Sequence, residues 1–173
     1  MKKLLTLACT TAIALAIPLA GAAQASPKPS GLDEEYLTTS MKGDLFEIAG
    51  GRIALARSNN AAVDALARRL IKDHSQSFAD AADLARKLGI EVPNSPTASM
   101  EWELRVIKSL PRGHTFNHWY ASLESYDHVQ DISETTDEVN NGKLRSVRQD
   151  AKHELPMLYM HLALSRRTLT AVH

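Results

Sequence analysis

Apolar side chains recur at steps of three and four along most of this chain, the spacing that gathers them on one face of an α-helix. The clearest run is Val63, Leu66, Leu70, His74, Phe78, Ala81, Leu84 and Leu88, closed by Gly89 in a C-terminal cap position. A first helix precedes it. Ser30 is its N-cap, and Asp33, Glu34 and Glu35 fill a first turn where the helix dipole favours negative charge. Leu37, Met41, Leu45, Ile48 and Leu55 carry its stripe to Ser58, and Asn59 and Asn60 separate the two helices. Residues 89 to 99 hold Pro93 and Pro96 among Asn, Ser and Thr and read as a loop; a short helix follows from Met100 to Leu110, ended by Pro111 and Gly113. Thr115 caps a third long helix through Phe116, Trp119, Leu123, Ile132 and Val139, and Asn140, Asn141 and Gly142 form the next turn. A fourth runs from about Lys143 to the end through Leu144, Val147, Ala151, Leu155, Leu158, Leu162 and Leu169. Pro156 inside it predicts a kink, because the ring removes a backbone donor and crowds the carbonyl four residues back.

Nothing alternates with period two over a useful length, and no glycine-rich phosphate loop is present, so sheet folds and nucleotide cofactors are excluded. Four long amphipathic helices joined mostly by tight turns predict an all-α, antiparallel four-helix bundle with a short extra helix between the second and third long helices. The link that carries the extra helix is long enough to be the crossover of a ferritin-like bundle. A cap helix on an up-down-up-down bundle fits the same length.

The first 25 residues follow a different pattern. Met-Lys-Lys precedes an apolar run from Leu4 to Ala20, and small residues at Ala23 and Ala25 stand before Ser26, the order of a secretory signal cleaved after Ala25. A retained membrane anchor is the weaker reading, because Pro18 and Gly21 interrupt a run already short of the roughly 20 clean apolar residues a span needs. The organisation expected is a signal peptide at 1–25, an extended lead-in at 26–31 with Pro27 and Pro29, and the bundle at 32–173, placed in the periplasm or secreted, with no membrane span after cleavage.

Cleavage changes the composition. The 173 residues balance 20 Lys+Arg against 20 Asp+Glu and contain one cysteine, Cys9. Removing the signal leaves 148 residues, 18 positive charges against 20 negative, no cysteine and all seven histidines. Such a chain lacks the basic footprint of a nucleic-acid binder. Thiol chemistry, thiolate metal sites and covalently attached c-type haem are excluded. A domain of this size can bury its core without disulfides.

The candidate chemistry lies in polar residues set on apolar stripes, one on each long helix. His74 stands between Leu70 and Phe78 at steps of four; His128 shares a face with Ala121, Ser125, Ile132 and Val139; His161 follows Leu158 on a stripe with Val147, Ala151 and Glu154. Glu47 belongs to a face of small residues, Gly43, Gly50, Gly51 and Ala54, where helices can approach closely. A buried Glu47 must find a donor or a cation. Three imidazoles and a carboxylate that converge would hold one divalent first-row metal ion: zinc, copper, iron or manganese. A metal-free Glu and His cluster that fixes helix register fits the same pattern. Counted from the helix ends, Glu47 and His74 lie within about 5 Å of one height, whereas His128 and His161 differ by seven residues, roughly 10 Å, unless the Pro156 kink or a later helix start shortens the gap.

A carboxylate-rich dinuclear centre is disfavoured, since the usual Glu three residues before a ligand histidine is replaced by Ile71, Ser125 and Leu158. Asp73, Glu124 and Glu154 are close enough in sequence to accept from ring N–H groups. His114 and His118 are four apart, but His114 precedes the expected cap at Thr115. No Ser, His and Asp combination has motif spacing, and no catalytic nucleophile stands out.

The chain resembles a bacterial family of exported proteins of unknown function, often labelled "predicted outer membrane protein" and assigned a ferritin-like bundle fold. The residues that carry the resemblance are Glu47-Ile48 with the glycines after them, Asn60 to Val63, and Ala67-Arg68-Arg69-Leu70-Ile71-Lys72-Asp73-His74. Leu88-Gly89-Ile90 with Pro93, Phe116-Asn117-His118-Trp119-Tyr120, His128, Leu155-Pro156 and His161-Leu162 complete it, over about residues 40 to 170. The resemblance implies that His74, His128 and His161 recur together, and it departs at Asn117, where the family tends to have Asp. A barrel is not what the helical pattern predicts, whatever the label. The function expected is metal handling or envelope stress protection by a divalent ion in the bundle interior. The alternative is a metal-free periplasmic interaction or scaffold module, and an enzyme with redox chemistry at the site ranks third.

Overall fold

The computed structural model describes residues 28–172, so the predicted signal at 1–25 lies outside the described residues. Five helices follow in order: α1 (Gly31–Arg57), α2 (Ala61–Leu88), α3 (Ala98–Ser109), α4 (His114–Asn141) and α5 (Arg145–Ala171). No strand occurs among the described residues, and no helix there is long and apolar enough to cross a membrane. The third and fourth long helices of the sequence pattern are α4 and α5.

Local chemistry sets most of the ends. The Asp33 N–H donates to Ser30 Oγ at 3.3 Å while the Ser30 N–H donates back to the Asp33 carboxylate at 2.5 Å, a reciprocal cap on α1. The Asn60 side chain accepts from Ala62 and Val63 at 2.9 and 3.3 Å at the start of α2. Gly89 closes α2 at φ 75°, where a Cβ would be strained. Two ends depart from the expected ones. The N-cap of α4 is Gly113, at φ 86°, so His114 is already helical and Thr115 makes no cap. At the other end α4 continues through Asn140 and Asn141, whose side-chain amide donates one turn back to Asp137 at 2.6 Å, and α5 begins only at Arg145. Pro156 lies inside α5.

Helices α1 and α2 pack along each other, as do α4 and α5, and α1 meets α4 while α2 meets α5. Long-range hydrogen bonds give the directions. Asp33, at the start of α1, accepts from the backbone N–H groups of Lys143 and Leu144 at the α4–α5 turn, both at 2.9 Å. At the far end of α1, Arg57 donates to the Leu110 carbonyl, and Ser58 donates to Asn117 at 2.8 Å. Helix α4 therefore starts beside the end of α1 and runs back along it. Helix α2 ends at the opposite end of the bundle, so the chain must travel the whole length to reach α4, and α3, lying against α1 and α4, is part of that crossover. The topology is that of a ferritin-like antiparallel four-helix bundle, not an up-down-up-down bundle with a cap helix. Every neighbouring pair of long helices is antiparallel.

Apolar packing occupies the two ends. One cluster includes Ala54, Val63, Leu66, Leu70, Phe116 and Tyr120; the other includes Leu37, Met41, Ala82, Ala85, Val147 and Ala151. Between them the interior is polar, with Asp44, Glu47, His74, Glu124, His128 and His161 all buried. The small-residue face of α1 allows this: a Cβ on Gly51 would meet the Ile71 side chain at 2.7 Å and the Ala67 carbonyl at 3.0 Å.

Asp33 ties the start of α1 to the turn that reverses the chain from α4 to α5. Replacing it by alanine removes a cap and leaves two backbone donors without their acceptor, so Asp33→Ala is expected to cost about 2–4 kcal/mol of unfolding free energy. The exposed first-turn variant Glu34→Ala should cost less than about 0.5 kcal/mol. Urea denaturation of the two variants checks the contrast.

Candidate metal centre

His74 from α2, His128 from α4 and His161 from α5 meet in the polar layer. The three residues are 2%, 0% and 0% exposed. Ring centroids lie 5.6 Å apart for His74 and His128, 5.1 Å for His74 and His161, and 5.2 Å for His128 and His161. One ring nitrogen from each lies within 4.8 Å of the other two. The height mismatch expected between His128 and His161 is absent. With α4 ending at Asn141 and α5 starting at Arg145, the two histidines stand thirteen and sixteen residues from the turn. That difference is about 4.5 Å at 1.5 Å per residue.

Each ring is held from one side. His128 Nδ1 donates to the Glu124 backbone carbonyl at 2.8 Å. His161 Nε2 is 2.9 Å from Asp73 Oδ2, and His74 Nδ1 is 2.7 Å from Asp44 Oδ1. A carbonyl oxygen can only accept, so His128 carries its hydrogen on Nδ1 and a lone pair on Nε2. Ionised Asp73 imposes the same logic on His161. Burial raises the Asp44 carboxyl well above the ordinary range, so the hydrogen it shares with His74 Nδ1 sits on either partner. The remaining nitrogens, His74 Nε2, His128 Nε2 and His161 Nδ1, are buried and have no hydrogen-bond partner. An outer nitrogen bound to an oxygen acceptor and a second one left bare is the arrangement of a metal-ligating histidine; His128 and His161 hold it, and His74 takes it once Asp44 is ionised. The donor set fits a divalent ion.

The electrostatics favour the same form. Burial pushes His74 down to about 4, with Asp73 opposing; burial, with the neighbouring rings of His74 and His161, pushes His128 down to about 3. His161 is lowered to about 4, again by burial first and His74 second, while Asp73 opposes. All three rings are therefore neutral at neutral pH, as ligands must be. Burial works against the charge of Asp73, but hydrogen bonds from His161 and Arg69 outweigh it and hold its carboxyl below the ordinary value.

Glu47 does not join the three rings. Its Oε1 is 3.9 Å from His128 Nδ1, the tethered side of that ring, and it groups with His128 and Asp131 within 4.8 Å. Three of the four residues chosen from the sequence thus form one trio, and the fourth belongs to a second group beside it. Glu47 is fully buried, and the acidic groups around it are the carboxyls of Glu124, Asp127 and Asp131. Burial, with those neighbours, raises the Glu47 carboxyl, and burial raises Asp131 and brings Glu124 up to about 7.

The outer acceptors differ in detail from expectation. Asp73 serves His161 on α5, not its sequence neighbour His74. Glu124 serves His128 through its backbone. Glu154 accepts from Ser77 at 3.1 Å and not from a ring. Asp44, Asp127 and Asp131 were not singled out by periodicity, although Asp44 precedes Glu47 by three and Asp131 follows His128 by three, one helical turn in each case. Carboxylates thus surround the histidines without the Glu-x-x-His spacing. His114 and His118 stack at 5.9 Å on the first turn of α4, away from the trio. A cavity of about 140 Å³ leads to His74 and is walled by Asp44, Asp127, Asp131, Glu134 and Glu154.

Raised carboxyls make the stability of the metal-free protein depend on pH. Glu124 and Glu154, both brought up to about 7 chiefly by burial, hold protons in the folded state at pH values where the unfolded chain, titrating at 4.5, has lost them. Their contribution is complete below the unfolded value and is lost as pH rises through the folded one. The histidines act in the opposite sense, but only below their unfolded value of 6.5. From about pH 6.5 to 8 the carboxyls decide alone, so Tm of metal-free protein is expected to fall across that range. Glu124→Gln should flatten the fall, which a melting series in matched buffers measures.

Residues 18–167 match the domain of unknown function DUF4142, and the chain belongs to that family. No curated protein matches it. Among solved structures it is similar to a DUF305 fragment from Deinococcus radiodurans, with a TM-score of 0.74 and 12% identity over 84% of this chain and 99% of that one. It is also similar to a conserved hypothetical protein, rv2844, from Mycobacterium tuberculosis, with a TM-score of 0.63 and 18% identity over 81% of this chain and 92% of that one. At such identities the likeness is one of fold.

Proposed function

We propose that this member of the DUF4142 family binds one divalent transition-metal ion in the middle of its bundle through His74, His128 and His161, and that it serves metal handling or envelope stress protection after export. The observation that carries the reading is the set of three buried rings, each tethered on one nitrogen and bare on the other. A cluster that only fixed helix register would be expected to pair its buried nitrogens with protein donors. Glu47, the fourth ligand of the sequence reading, stands on the tethered side of His128, so the fourth position falls to a water or a small ligand from the acidic cavity. An all-nitrogen set of neutral imidazoles suits zinc or copper better than manganese, with iron between. The signal pattern of residues 1–25 supports the exported location.

Protein purified without an affinity tag and loaded with zinc or copper is expected to retain one equivalent and to melt at higher temperature than the metal-free form. The His74→Ala plus His161→Ala variant should lose both the metal and the gain in Tm. Asp73→Asn, which touches the site only through His161, should weaken binding by roughly 10–100-fold. A wild type that gains no stability with zinc, copper, iron or manganese sinks the reading and leaves the scaffold role.

A further inference from the structure

We propose that Glu47 and Asp131, backed by Glu124 and Asp127, form a second cation site beside the histidine trio, one that takes a hard, oxygen-preferring divalent ion such as manganese(II). Glu47 is fully buried, and no donor from outside the carboxyl cluster reaches either of its oxygens, which meet only Glu124 and Asp127. An oxygen of Glu47, a nitrogen of His128 and an oxygen of Asp131 all lie within 4.8 Å of one another. The groups turned toward Glu47 from α4 are the carboxyls of Glu124, Asp127 and Asp131. Among the described residues, no lysine or arginine forms an ion pair with any of these four. Acceptors facing acceptors in a dry interior need a proton or a cation between them.

The donor chemistry separates this site from the trio. His128 has one nitrogen committed to the Glu124 carbonyl and the other left bare. A metal on the trio uses the bare nitrogen, so the second site is left with oxygen ligands. Carboxylate oxygens select manganese, magnesium or calcium over the softer ions that imidazoles favour. Asp127 and Asp131 line the same cavity that reaches His74, so a hydrated ion has a common route to both sites.

The proposal does not depend on the trio binding metal, and its test keeps the two apart. Manganese(II) is titrated into wild type, His74→Ala plus His161→Ala, and Glu47→Gln plus Asp131→Asn, with the free ion followed by its paramagnetic resonance signal and helix content by circular dichroism. Wild type and the histidine variant are expected to bind manganese alike, and the amide variant to bind it more than about ten-fold more weakly while it still takes up zinc. Asp131→Asn alone, at a half-buried position, carries the same expectation should the double variant fail to fold. Manganese binding unchanged by the amide substitutions overturns the proposal. So does a wild type and a histidine variant that both leave manganese free, which would assign a shared proton to Glu47 and Glu124 instead. Loss of zinc from neither variant would count against the trio alone.

Discussion

A buried imidazole that has one nitrogen tied to a fixed oxygen and no partner for the other is an incomplete group, and the middle of this bundle holds three of them. Their outer tethers come from three different places: a carboxylate on α1, a carboxylate on α2 and a backbone carbonyl on α4. Each tether sets how its ring is turned, and those on His128 and His161 also set which nitrogen keeps the hydrogen. The rest of the interior is arranged around that requirement. Apolar side chains fill the two ends, and the central layer is handed to polar groups that a hydrophobic core would exclude.

The crossover makes the arrangement possible. With all neighbours antiparallel, two side chains on adjacent helices meet when they stand equally far from the shared end. Asp33, which grips the α4–α5 turn, and Arg57, which grips the end of the crossover, set those ends against each other. The glycines of α1 then let Glu47 and Asp44 reach the interior without pushing the helices apart.

The helices themselves were legible in the chain. Steps of three and four, with Ser30, Asn60 and Gly89 at the ends, are local signals, and local signals survive folding. The direction of α4 was not legible, because it rests on contacts such as Asp33 with Leu144 that join residues over a hundred positions apart. His74, His128 and His161 stood out as polar intrusions on apolar stripes, but the height of His161 depended on where α4 stops. Two asparagines there look like turn residues, whereas Asn141 bonds back to Asp137 and prolongs the helix. Asp44 and Asp131 were hidden for a simpler reason. Aspartate on a helix is ordinarily solvated, and only the packed structure turns these two inward. The partner of His161 was hidden as well, since Asp73 lies nearer in sequence to the wrong histidine.

The polar layer draws on α1, α2, α4 and α5, from Asp44 near one end of the domain to His161 near the other. No contiguous stretch of the chain holds more than a fragment of it, and an unfolded polypeptide has no more affinity for an ion here than scattered histidines would. Any ion that the layer holds can therefore be gripped only once the last of the four long helices has docked, whatever the chain met before it folded.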